Sequence, residues 1–238
     1  MLRRIGIIVA AVVVATLVGL WLCDGPVWRS STVPAAIRAD VARLHSWRGS
    51  TRADACRKLA TGGAAAAPFL IEHADDPGWA DGLWGGSHHM FSFHGGPNMV
   101  AVPCIQALEA MRGDAVPALI EALNTNPRER IRHVAAELLG ETRDPRALPH
   151  LRLALFDASP DVQFAVIDSL AAFCDPKALL YARSEMNADD QWKRASGVRR
   201  LGKCDSEDVV GTLQAALQDP AAPVVREAEL ALSRRHLR

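Results

Sequence analysis

Leu108, Leu139, Leu170, Leu201 and Leu232 stand 31 residues apart without a break. Repetition at such a period constrains a fold tightly, because each unit must bury its apolar face against copies of itself. Four positions before each leucine is a residue of small or medium size: Cys104, Ala135, Val166, Gly197 and Ala228. Residues i and i+4 share one face of an α-helix. Each step therefore offers a leucine beside a low-profile neighbour, which lets adjacent helices approach closely. Gly140, Ala171 and Gly202 directly follow three of the leucines. The register returns upstream at Ala55 and Leu59, 49 residues before Leu108, one step plus an 18-residue insertion.

A second helix precedes each of these. The stretch Ala115-Val116-Pro117-Ala118-Leu119 aligns with Ala147-Leu148-Pro149-His150-Leu151, then with Ala178-Leu179-Leu180 and Val209-Val210-Gly211-Thr212-Leu213. Proline is tolerated in a first helical turn, where its missing N–H has no intrahelical partner. Turn signals fall at matching places. Asn126-Pro127, Ser159-Pro160, Asp189-Asp190 and Asp219-Pro220 lie inside units, and Asp144-Pro145 and Asp175-Pro176 between them. These read as N-caps. The spacing predicts helix pairs at about 35–60, 64–112, 114–141, 145–174, 176–204 and 207–236. Aromatics at 5% and abundant Ala and Leu suit packed helices better than strands.

The segment Arg132-His133-Val134-Ala135-Ala136-Glu137-Leu138-Leu139-Gly140, followed by Asp144-Pro145-Arg146-Ala147-Leu148-Pro149, resembles the HEAT-repeat family, in particular the short bacterial PBS-lyase HEAT-like repeats. The resemblance spans 114–236 and extends more loosely over 35–112. It implies an all-α, right-handed α-solenoid of about six HEAT-like helix pairs. The family includes scaffolds, adaptors and some bilin lyases, so fold leaves function open. No segment matches a chemical site of the lyases, and that activity stands as the remotest alternative.

Residues 1–23 read differently. Arg3 and Arg4 precede an uncharged run from Ile5 to Leu22, closed by Asp24, Gly25 and Pro26. Those 18 residues would reach roughly 27 Å as a helix, close to a hydrocarbon core. The expectation is one transmembrane helix, with a cleaved signal as the alternative, then a linker over 24–34 and the repeats over 35–238. The basic amino terminus favours N-inside, which places the repeats outside the cytoplasm. Without Arg3 and Arg4 the remainder carries 25 basic residues against 27 acidic, so nucleic acid is not an expected partner.

An insertion at 78–98 divides the second pair and holds six of the 17 glycines and four of the 13 aromatics. Loops this long within compact units are usually functional or disordered. Trp79, Trp84, Phe91 and Phe93 suit interface anchors. His88, His89 and His94 are weak metal-ligand candidates, because adjacent histidines followed by a four-residue gap match no tight ligand motif; no cofactor is expected. Cys56, Cys104, Cys174 and Cys204 form an even set, either bridged as Cys56–Cys104 and Cys174–Cys204 or buried as thiols. The second helices of the last two pairs carry Lys193, Arg194, Arg199, Arg200, Lys203, Arg226, Arg234 and Arg235. They are either a basic groove, with Arg199 and Arg200 as partner-binding residues, or a solvated face. No P-loop, G-x-S-x-G elbow, H-E-x-x-H helix or C-x-x-C pair occurs. The expected function is a membrane-anchored, non-enzymatic scaffold or adaptor that binds a protein partner at the extracytoplasmic face. The alternative is a ligand- or metal-binding accessory protein using the His-rich insertion.

Overall fold

Leu108, Leu139, Leu170 and Leu201 are all at most 1% exposed, and Leu232 is partly buried. The leucine column is thus the spine of the core. The computed structural model describes residues 34–44, 46, 49–74 and 101–236. The segment at 1–23, the linker to 33 and the insertion at 78–98 lie outside the described residues. Among those described there is no strand, and no helix is long and apolar enough to cross a membrane.

Six helix pairs follow one another as expected. They are α1 Arg38–Leu44 with α2 Gly49–Leu59, α3 Ala67–Glu72 with α4 Ala101–Met111, and α5 Val116–Thr125 with α6 Glu129–Thr142. Then come α7 Leu148–Ala154 with α8 Pro160–Ala172, α9 Pro176–Met186 with α10 Gln191–Leu201, and α11 Val210–Ala216 with α12 Ala222–His236. Second helices pack on one another in chain order, α2 on α4, α4 on α6, α6 on α8, α8 on α10 and α10 on α12.

Small residues set how closely these layers approach. A Cβ added at Gly140 of α6 would stand 2.6 Å from Ser169 Cβ and Oγ on α8. One added at Gly197 would collide with the Ala182 carbonyl of α9, and one at Gly202 would lie 2.5 Å from Ala231 Cβ. Ser169 Oγ also donates to the Ala136 carbonyl at 2.7 Å, a buried polar tie between successive units.

Capping follows the 31-residue step only in part. Asp144 accepts from the Arg146 N–H, Asp175 from Lys177 and Ser206 from Asp208, all in one register. Within pairs only Asp190 caps its helix, accepting from Trp192, whereas Asn126 and Asp219 accept from Arg128 and Ala221 in the turns ahead of α6 and α12, which start later than expected. Ser159 departs from expectation: its side chain makes no cap bond, and Asp157 accepts the Ser159 N–H at 2.8 Å instead. Arg112, Arg143 and Cys174 adopt left-handed backbone with φ of 47°, 51° and 54°. They also fall 31 apart, where each second helix ends and the chain turns into the next pair.

Both cysteine bridges are formed, Cys56–Cys104 with Cα atoms 5.1 Å apart and Cys174–Cys204 at 4.8 Å. The second marks a joint. The buried apolar residues form two clusters, one from Ile37 to Ala178 and one from Leu179 to Ala231. The bridge ties the end of α8 to the end of α10, with Cys204 in the second cluster and Cys174 packed against it, and Arg143 reaches across to pair with Asp205 and to donate to the Lys203 carbonyl at 2.9 Å. A cross-link closing a loop of this length contributes about 3–4 kcal/mol by restricting the unfolded chain.

Two outcomes are expected. Gly140→Ala lowers stability by about 1–3 kcal/mol in denaturant unfolding, because Ser169 cannot yield without losing its bond to Ala136. Replacing Cys174 and Cys204 by alanine makes 179–231 lose amide protection before 104–172 in hydrogen exchange. The same change at Cys56 and Cys104, inside the first cluster, leaves that order unaltered.

Candidate binding surface

The basic side chains on the last second helices divide into two groups. Arg194 pairs with both Asp219 oxygens at 2.9 and 3.0 Å and donates to the Ala188 and Asp189 carbonyls. Its counterpart two steps earlier, Arg132, pairs with both Asp157 oxygens at 2.8 Å and donates to the Asn126 and Pro127 carbonyls. In the intervening unit Gln163 takes that place and donates to the Asp157 carbonyl at 2.7 Å. Arg128 ties the second and third pairs through the Glu72 carboxylate at 2.6 Å. These forks fasten the edge of the stack where the turns within pairs lie.

Arg200 is 5% exposed and occupies the core-facing step position held earlier by Leu138 and Ser169. Its guanidinium meets Asp168 at 2.5 Å and also pairs with Glu185. It lies 5.9 Å from the Phe164 ring centroid and 5.5 Å from that of Tyr181. Lys203 closes the cluster on Asp168 at 2.9 Å. Burial pushes the Asp168 carboxyl up, but the Lys203 and Arg200 charges outweigh it and hold the group below the usual carboxylate range. Arg235 donates to the Cys204 and Ser206 carbonyls. Arg194, Arg200, Lys203 and Arg235 therefore hold the stack together, and Arg200 has no free guanidinium to offer a partner.

Lys193, Arg199, Arg226 and Arg234 are exposed. Among the described residues Arg199 donates to Ser196 Oγ at 3.1 Å, and none of the four has a carboxylate within ion-pair distance. Beside them stand apolar side chains that the leucine column does not announce: Phe164 at 47%, Trp192 at 64% and Leu230 at 43% exposure. Leu230 falls one step after Arg199 and two after Asp168, so tabulating that column would have flagged it.

Further back along the stack, Glu109 on α4 and Glu137 and Glu141 on α6 form an acidic group. Burial, then the neighbouring Glu109 and Glu137 carboxylates, push Glu141 above its ordinary value. Trp79, Trp84, Phe91 and Phe93 lie outside the described residues, as do His88, His89 and His94. Among the described residues no group of three or more His, Cys, Asp and Glu side chains is placed to hold a metal ion.

Three overlapping segments, 99–155, 116–196 and 152–234, match the family described as HEAT repeats. No curated protein matches in sequence. Among solved structures, the complex of CpcE and CpcF of phycocyanin lyase from Nostoc sp. PCC7120 is similar at 20% identity and a TM-score of 0.48, covering 89% of this chain and 80% of that one. An engineered protein is similar at 16% identity and a TM-score of 0.39, covering 86% and 98%.

Asp168→Asn is expected to destabilise by about 3 kcal/mol, since it leaves Arg200 buried beside a weakened partner. A carboxyl held below its unfolded value stabilises above the unfolded pKa of about 3.9 and loses that contribution as pH falls through the folded value. The difference in stability between wild type and Asp168→Asn should therefore shrink below about pH 4, as read by urea midpoints across pH.

Proposed function

The chain belongs to the HEAT-repeat family, and from that premise we propose that it is a membrane-anchored, non-enzymatic scaffold or adaptor that binds a protein partner at the extracytoplasmic face. The observation that carries the binding role is the stack itself. Successive second helices pack in chain order over two apolar clusters that together extend along the described repeats. Such stacks offer surfaces suited to extended protein partners.

The anchor rests on the uncharged run from Ile5 to Leu22 behind Arg3 and Arg4. The two disulfides support the exported placement, because such bridges persist in oxidising compartments. In sequence the 78–98 insertion falls between α3 and α4, and Glu72, the last residue of α3, is tied to Arg128. Trp79, Trp84, Phe91 and Phe93 are proposed as its anchors, with Arg199 contributing from the second-helix face and Arg200 positioning that face from beneath.

The test is crosslinking and pull-down from membranes, comparing the intact chain with one whose residues 78–96 are replaced by a short Gly-Ser link. The expected result is a partner captured by the intact form and lost by the shortened, still helical one. Equal capture by both would exclude the loop as the recognition element. For topology, a reporter that is active only outside the cytoplasm, fused after Arg238, should be active; inactivity would rule out the exported orientation.

A further inference from the structure

Most arginines in the described repeats have an acidic partner or a carbonyl to bind; Arg112 and Arg183 stand apart without one, whereas the remaining exceptions cluster. Arg199, Arg226 and Arg234 have no carboxylate partner among the described residues, and they fall on one face. Arg226, Leu230 and Arg234 follow one another at intervals of four along α12, and Trp192 and Arg199 stand two turns apart on α10. Arg199 and Leu230 are one 31-residue step apart, so they occupy matching positions on helices that pack together. Phe164 joins them from α8, its ring over the Arg200 guanidinium that α10 sends beneath it. The result is three exposed cations interleaved with three exposed apolar side chains.

We propose that Phe164, Trp192, Arg199, Arg226, Leu230 and Arg234 form a docking face for an acidic, amphipathic segment of another protein. This rests on the scaffold reading and names the partner class for it. Charge complementarity selects that occupant. The cations offer carboxylate partners that the chain itself leaves unfilled, and arginine and tryptophan are the side chains most enriched where binding energy concentrates. The acidic group of Glu109 on α4 with Glu137 and Glu141 on α6 disfavours extension of such a segment toward those helices. A partner helix would present its apolar stripe to Trp192 and Leu230 and its flanking carboxylates to the arginines.

The probe is a fluorescein-labelled synthetic peptide with leucines at helical spacing flanked by glutamates, titrated against the full chain in detergent micelles by fluorescence anisotropy. A counterpart carrying lysine at each glutamate position serves as control. The expected outcome is a Kd on the order of 10 µM for the acidic peptide that weakens with added salt. Arg199→Glu with Arg226→Glu should reduce binding at least about tenfold, as should Trp192→Ala with Leu230→Ala, while circular dichroism and Tm stay unchanged. No binding of the acidic peptide, equal binding of the lysine peptide, or unchanged affinity in the folded Arg199→Glu, Arg226→Glu protein would each overturn the proposal. So would capture of the membrane partner by that variant at wild-type yield, and in that case the scaffold reading would survive. If the acidic peptide binds through these residues but the loop replacement still captures the partner, the loop assignment fails and the docking face stands.

Discussion

Everything in this stack depends on how closely one second helix can lie against the next. At Gly140 the separation leaves no room for a single methyl group, because Ser169 is held in place by its bond to the Ala136 carbonyl. Gly197 against α9 and Gly202 against Ala231 repeat that constraint further along. Close approach is what brings the leucine column out of water and aligns the polar ties on either side of it. A looser stack would bury less apolar surface and would carry the Arg132 and Arg194 forks out of reach of Asp157 and Asp219.

The interface between the fourth and fifth pairs is built by a different rule. Where earlier steps place Leu138 and Ser169, this one places Arg200, which is too large and too polar for simple helix-on-helix packing. Asp168 and Glu185 satisfy its charge, Lys203 shares the Asp168 carboxylate, and two aromatic rings flank the guanidinium. A fully partnered buried cation of this kind contributes modest net stability but specifies one geometry strongly. The disulfide between Cys174 and Cys204 lies at the same boundary, so a covalent tie and an ionic cluster together do what continuous apolar packing does elsewhere.

Much of the architecture was legible in the sequence, because a 31-residue period and a leucine with a small residue four positions earlier leave few alternatives to stacked helix pairs. The caps at Asp144 and Asp175 were legible for the same reason. The division of the arginines was not. Arg194 and Arg199 look alike in sequence, and only the three-dimensional placement of Asp219 makes the first structural and leaves the second exposed. Ser159 was misread because a serine before a proline resembles a cap, whereas its side chain caps nothing and its own N–H is taken by the neighbouring Asp157. Even cysteine count and step spacing allowed bridges without distinguishing them from packed thiols. The left-handed residues Arg112, Arg143 and Cys174 gave no signal, since that conformation is ordinarily announced by glycine.

The Arg132 and Arg194 forks recur with partners at matching positions, an aspartate and two carbonyls each, at a distance of two steps, not one. The third and fourth pairs are clasped by the first fork, the fifth and sixth by the second, and the Arg200 joint falls between the two clasped blocks. By this measure the clasp repeats at 62 residues rather than 31. Tandem duplication of a whole module would carry its clasp with it, whereas gain or loss of a single helix pair would set an arginine fork opposite a place built for Gln163. A lineage of such chains should therefore change length more readily by even numbers of helix pairs, with a joint between modules as the natural point of insertion.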